Sequence, residues 1–444
     1  MSNWTISRKR FLQMNNSVFG TNVLRIRALI LRILLFLGTG LCVSSSMAQQ
    51  YMNKAYTPDI KTLQVYLNAG QLDWPVIRMG TNDYVTVSFD WMSHKYPHLA
   101  YRVRYCNADW TLSDLDEMDY MEGLNEVIIE DPYISMNTTF DYSHFEFSLP
   151  NDEVKLTLSG NYIVQVYDTE NPLTTLLVAC FSQQDPKVNV VGEVDGRSIY
   201  GVNKEYQHLS FELFFQGNFN AMPEELKVLV RQNGRHDNEV FGLKPTYVKP
   251  ESLVFDDERR LSFEGGVQYN VADFSHRYRY SGRIDRISFH QPYYHVEMRP
   301  GEMLDGKTSV FGKDVNGGYL VHQQDIWNDS EIDYSVVHFT YPIEEPWLDG
   351  ALYVSGAFND GRLNEQNKMT YNYDRHQYEL SVVLKNGGYN FQYLFVPAGM
   401  KSGLNSRAEG SYWETENEYQ IYVYYRQLGS DHDRLIGFER IISK

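Results

Sequence analysis

Apolar and polar residues alternate in short runs along most of this chain. Tyr84–Phe89 (YVTVSF), Tyr101–Tyr105 (YRVRY), Phe145–Leu149 (FEFSL), Tyr162–Tyr167 (YIVQVY) and Leu176–Phe181 (LLVACF) are the first such runs. A period of two sends successive side chains to opposite faces of a strand, so each run predicts a β-strand with one buried face. Pro150-Asn151-Asp152, Ser159-Gly160-Asn161 and Glu170-Asn171-Pro172 punctuate them as turns. No long amphipathic helix pattern separates the runs, which predicts antiparallel sandwiches.

The same texture continues in two further blocks. From Pro186 come KVNVVGEV, HLSFELFF, ELKVLVRQNGR, RRLSFEGGVQY and RISFHQPYYHVEM, with Asn233-Gly234 as a hairpin turn signal. Residues 301–318 read as a long surface loop. From about Tyr334 come SVVHFTYP, GALYVSGAF, KMTYNYD, QYELSVVL, GYNFQYLFV and EYQIYVYYR, with Asn386-Gly387-Gly388 as a tight turn. The expected organisation is an N-terminal sandwich over 49–185, a middle β domain over 186–333 and a C-terminal sandwich over 334–444, with little free linker. Composition agrees: 34 tyrosines and 23 phenylalanines suit pleated, half-buried surfaces.

The first 48 residues break the pattern. Arg8, Lys9, Arg10, Arg25, Arg27 and Arg32 precede or interrupt an apolar stretch that ends at Ser46-Met47-Ala48, a small-x-small cleavage site. This reads as a secretory signal, with Gln49 as the mature N-terminus and an internal Met such as Met14 as an alternative start. Cys42 follows Leu41, where lipoprotein processing wants a small residue, so cleavage is expected in place of a lipid anchor. Losing six basic residues takes the formal charge from −17 to −23. Such a balance argues against nucleic acid, whose phosphates are bound by Lys and Arg, and suits an exported soluble protein or one that meets a basic surface.

Candidate chemistry is sparse. The stretch Arg104–Gly123 (RYCNADWTLSDLDEMDYMEG) carries Asp109, Asp114, Asp116, Glu117, Asp119 and Glu122. Glycosidic chemistry needs two carboxylates facing each other across a sugar, which neighbours on one loop do not provide. The expectation is a structured loop held by Trp110 and Tyr120, its acids facing water or a partner. Asp305-Gly306 and Asp314-Val315-Asn316-Gly317 lack the spacing of a full calcium loop and read as turns. His290 and His295 form the densest histidine pair, a weak metal signal. Cys106 and Cys180 sit in apolar strand contexts, either as a disulfide or as two small buried hydrophobes. No CxxC or HxxxH pattern accompanies them, so zinc is not expected. No G-x-S-x-G elbow, P-loop or dinucleotide fingerprint occurs. The residues therefore predict no catalytic, cofactor-binding or metal-binding site.

Three resemblances add to this. GNYIVQVYDTENP resembles the penultimate strand of an immunoglobulin-like or fibronectin-like unit. The last block resembles an early-set sandwich of the glycogen- and starch-binding kind, with Gly356-Ala357-Phe358-Asn359 matching but no sugar-stacking Trp after it. A glycan-binding protein of the cell envelope is the alternative reading this keeps open. Over most of the chain, from about Leu63 to Arg426, the sequence resembles the type IX secretion system plug proteins of Bacteroidota. The resemblance is carried by YCNADWTLSDLDEMDYMEGLNE, SMNTTFDYSHFEFSLPND, LSGNYIVQVYD and EGSYWETENEYQIYVYYR. Where that family carries a histidine before the cysteine, Tyr105 stands here. The resemblance implies a non-enzymatic periplasmic protein of tandem sandwiches, monomeric when free. It would take no cofactor and no small-molecule substrate, and would occlude the periplasmic opening of a giant outer-membrane β-barrel translocon, its protein partner.

Overall fold

The structure is a computed structural model that describes residues 49–304, 314–324, 326 and 329–443. The expected signal segment, Cys42 and the Asp305-Gly306 turn lie outside the described residues. With 49% strand and 3% helix, the fold is all-β, built of tandem sandwiches.

Each predicted run of the first block forms a strand. Leu99–Cys106 pairs with Gly160–Asp168, which pairs with Asn171–Gln184. The opposing sheet is Ile60–Leu67, Val85–Trp91 and Ser143–Leu149. Between the sheets lie Val87, Phe89, Tyr101, Val103, Phe145, Val164 and Phe181. One feature departs from simple alternation. Along Val85–Trp91 the polar positions Thr86, Ser88 and Asp90 are buried as well. The outer face of that strand is therefore covered, and other parts of the chain cover it.

The two remaining cores do not follow the contiguous blocks expected at 186–333 and 334–444. The middle core joins Val188–Asp195, Tyr206–Phe215 and Ser252–Phe255 to a second sheet in which Leu226–Gln232 pairs with Glu418–Tyr425, and that strand with Arg434–Ile442. The last two strands of the chain thus return to the middle sandwich. The third core starts early, at Asn270–Asp273, and holds Ile284–His290, Tyr293–Met298, Tyr334–Pro342, Gly350–Ser355, Gln377–Lys385 and Gly387–Pro397. It is an insertion in the middle sandwich. Periodicity predicts strands but not their partners, so this excursion left no mark in the alternation.

Of the two predicted turns, one holds and one differs. Asn233 and Gly234 do form a turn, with positive φ at both and Arg235 N donating to Gln232 O at 3.0 Å. Asn386-Gly387-Gly388 is instead a corner. The chain leaves the sheet of Gln377–Lys385 there and enters another at Gly387–Pro397. A Cβ on Gly387 would stand 2.1 Å from Leu320 O, so glycine permits the crossing to pass against strand Tyr319–Val321.

Candidate functional site

The chemistry-bearing side chains gather where one core meets the next. The first joint is polar and dry. Asp90 of the first sandwich receives Lys385 Nζ at 2.7 Å, His144 Nδ1 at 2.6 Å and the Tyr334 hydroxyl at 2.5 Å. Tyr334 accepts from Thr62 Oγ1 at 2.6 Å, and the Lys385 ammonium lies 4.5 Å from the Tyr142 ring centroid. Burial works to raise the Asp90 pKa, but the Lys385 charge and His144 outweigh it and hold the carboxyl below 3.8. Nearby, Thr139 donates through N and Oγ1 to Asp333 Oδ1 at 2.9 and 3.0 Å, and Tyr142 donates to Ile332 O at 2.7 Å. Asp90, Lys385 and Tyr334 would suit acid–base work by residue type. Sealed in this way, they instead clamp the first core to the third.

The second joint uses the opening of the acidic loop. Asp433, fully buried, receives Lys227 Nζ at 2.8 Å, Arg426 Nε at 2.7 Å and Ala108 N at 3.0 Å. Burial opposes ionisation there, and these donors hold the carboxyl below 3.8. Asn107 Oδ1 accepts from Arg426 at 3.0 Å, and the Tyr105 hydroxyl lies 2.6 Å from Asp433 O. Residues 105–108 thus fasten the first sandwich to the last hairpin of the middle one. Trp74 adds a bond to Glu418 Oε1 at 2.5 Å.

The third joint ties the chain leaving the middle core to the chain returning. Gly266 N donates to Ser411 Oγ at 3.0 Å, Val267 N to Asn405 Oδ1 at 2.9 Å, and Asn417 Nδ2 to Gly265 O at 2.8 Å. Glu409 accepts from Asn270 Nδ2 at 2.6 Å and Tyr393 N at 2.8 Å; burial pushes its pKa up to about 7. A Cβ on Gly265 would meet Tyr412 O at 2.1 Å, so the two crossings touch backbone to backbone.

The remaining sequence candidates are dispersed. Tyr120 is buried against Tyr105 and Tyr162, whereas Trp110 is only half-buried, against Cys106 and Cys180. A cleft of about 370 Å3 beside them is lined by Arg104, Ser113, Leu115, Asp116 and Glu117 among others. Asp109 and Asp119 cap backbone N–H groups of Thr111 and Asp116. Cys106 and Cys180 are buried free thiols, which settles the open alternative against a disulfide. Asp314 accepts from Tyr269 N at 2.7 Å and Gly318 N closes onto Val315 O, the geometry of a turn. Phe358 packs edge-on against Tyr389 in the third core and Asn359 donates to Val354 O, which leaves no stacking platform for a sugar at that motif. His290 and His295 do meet on one sheet, and sequence gave no sign of the third ring, His338, whose Nε2 lies 2.8 Å from His295 Nδ1. Their coplanar, end-to-end approach is that of an N–H···N hydrogen bond.

Tandem all-β sandwiches joined through buried polar contacts define the class. Residues 60–184 match the family model described as the type 9 secretion system plug protein first domain. A solved structure of a hypothetical protein from Parabacteroides merdae ATCC 43184 is 37% identical, covering 89% of this chain and 100% of that one at a TM-score of 0.85. A search of the curated proteins finds no match. The chain belongs to the type IX secretion system plug protein family. Membership points to the cell envelope and to association with a secretion translocon. Among the described residues, no helix is long and apolar enough to cross a membrane.

Proposed function

We propose that this protein is exported through its N-terminal leader to the periplasm. There, as a monomer, it docks on the periplasmic opening of the giant outer-membrane β-barrel translocon and closes it, with no bond made or broken. The observation that carries the reading is the set of buried joints. An occluding body must not shear or hinge under the partner, and three cores cross-linked by Asp90–Lys385, Asp433–Lys227–Arg426 and the paired crossings at 265–267 and 405–417 resist both. The motifs that carry the family resemblance (CNADW, NTT and EGSYWETENEY) fall at those joints, consistent with stiffness as the property this family needs.

The test is occlusion itself. Purified translocon in a planar bilayer should conduct, and adding the protein to its periplasmic side should lower the current with one-to-one stoichiometry. Undiminished current, together with failure to co-elute with the translocon, would remove the plug reading.

A further inference from the structure

The acidic loop leads into an edge of the first sandwich that the joints do not use. Residues 124–136 run along this edge from one sheet to the other. Val127–Ile128 pairs with Tyr101 and Ala100 on one side, and Tyr133–Ile134 with His144 and Ser143 on the other. Each edge strand is two residues long. Val127 and Ile129 point into the core, yet the outward positions are also apolar. Ile128 is 72% and Tyr133 65% exposed, and Leu124, Ile134 and Met136 are exposed along the same segment. Exposed large side chains scattered singly need no explanation, but five along one edge segment do.

The rim of the strip says what covers it. Glu126, Glu130 and Asp131 are exposed along the same segment, and Glu117 and Glu122 on the loop that leads into it. Only Glu126 meets a cation, Arg102 at 3.6 Å, and Lys155 stands opposite Glu122 in the strand pairing. A second copy docking through this edge would set carboxylates against carboxylates about a two-fold axis. A nucleic acid or an anionic membrane would be repelled in the same way. We infer that this edge is the docking surface for the translocon, taking a protein surface with an apolar centre rimmed by lysine and arginine. The inference rests on the plug reading and names its contact face. Ile128 and Tyr133 are the anchors, excluded from water on binding, and the carboxylates steer the encounter.

The experiment measures binding of purified protein to immobilised, detergent-solubilised translocon. Ile128→Asp with Tyr133→Asp should weaken the affinity at least about tenfold, chiefly through faster dissociation. Glu126→Lys, Glu130→Lys and Asp131→Lys together should slow association. They should also abolish the loss of association rate that the wild type shows as NaCl rises from about 0.05 to 0.5 M. Tyr373→Asp, an equally exposed aromatic on a turn of the third block, should bind as the wild type does. Circular dichroism confirms that each variant is folded. Edge variants that bind like the wild type would overturn the assignment of this face while leaving the plug reading intact. A wild type that does not bind the translocon overturns both. Binding of the wild type to anionic phospholipid vesicles through this edge, lost in Ile128→Asp, would also overturn it.

Discussion

Lys385 and Asp90 form an ion pair with Nζ 2.7 Å from Oδ2 and neither side chain more than 1% exposed, although 295 positions separate them. Two charges are not removed from water for stability alone, because desolvation roughly cancels their attraction. Their use is registration: only one placement of the third core on the first satisfies both. Replacing Lys385 with Met should therefore cost about 3–5 kcal/mol, since it strands a buried carboxylate. Urea unfolding of Lys385→Met measures this, and Asp90→Leu in the same chain should recover part of the loss. A single variant as stable as the wild type would remove the clamp.

The acidic loop offers a comparison of its two aromatic anchors. Tyr120 is 3% exposed and sits among Tyr105 and Tyr162, so Tyr120→Ala should cost about 3–5 kcal/mol. Trp110, half-buried, should cost about 2 kcal/mol as Ala. Thermal melts of the two variants should rank them in that order; the reverse order would return the anchoring role to Trp110.

His236 makes stability depend on pH. Burial, reinforced by Arg231, pushes its pKa down from 6.5 to about 4, against the pull of Glu239 and Asp360. Below about pH 6.5 the unfolded chain takes up a proton that the folded chain refuses. This contribution to stability is complete above that pH and is lost as pH falls toward 4, by about 2 kcal/mol between pH 7 and pH 5. Glu409, pushed up to about 7, works in the opposite direction. The measurement is accordingly a difference: denaturant melts at both pH values should show His236→Gln losing about 2 kcal/mol less than the wild type.

The thiols of Cys106 and Cys180 should be inert. Burial pushes Cys106 up to about 12 and Cys180 well above the ordinary range, so neither offers thiolate to a reagent. Peptide mass mapping after treatment with a maleimide should find both unlabelled in the folded protein and both labelled in denaturant. A disulfide-linked peptide in the untreated protein would contradict the structure.

Much of the architecture was legible in alternation. The runs at 101–105, 145–149, 162–167 and 176–181 lie within strands, and that at 84–89 does from Val85 onward, because the face turned to the core writes its period directly into the sequence. Strand partners were not legible. Nothing in EYQIYVYYR says that its neighbour is Leu226–Gln232, nearly two hundred residues earlier, because antiparallel pairing is chosen by tertiary packing. The joints were hidden for a related reason. Asp90 and Thr86 look like the wet face of a strand, and only a third core laid over them makes them dry. The acids of Asp109–Glu122 were recognisable as surface; the residues that follow matched no run, because only Val127 and Ile129 turn into the core while Leu124, Ile128, Tyr133 and Met136 turn outward.

The return of Glu418–Ile442 to the middle sandwich has a consequence for biogenesis. A polypeptide emerging amino end first can complete its first sandwich early, but the faces of Leu209, Phe211, Val228 and Val230 stay uncovered until the final strands arrive. Any message truncated before residue 418 yields an open, sticky intermediate for proteases to clear. Completeness is thereby proofread by the fold, because a shortened chain that looked native at its amino end would still expose the middle core.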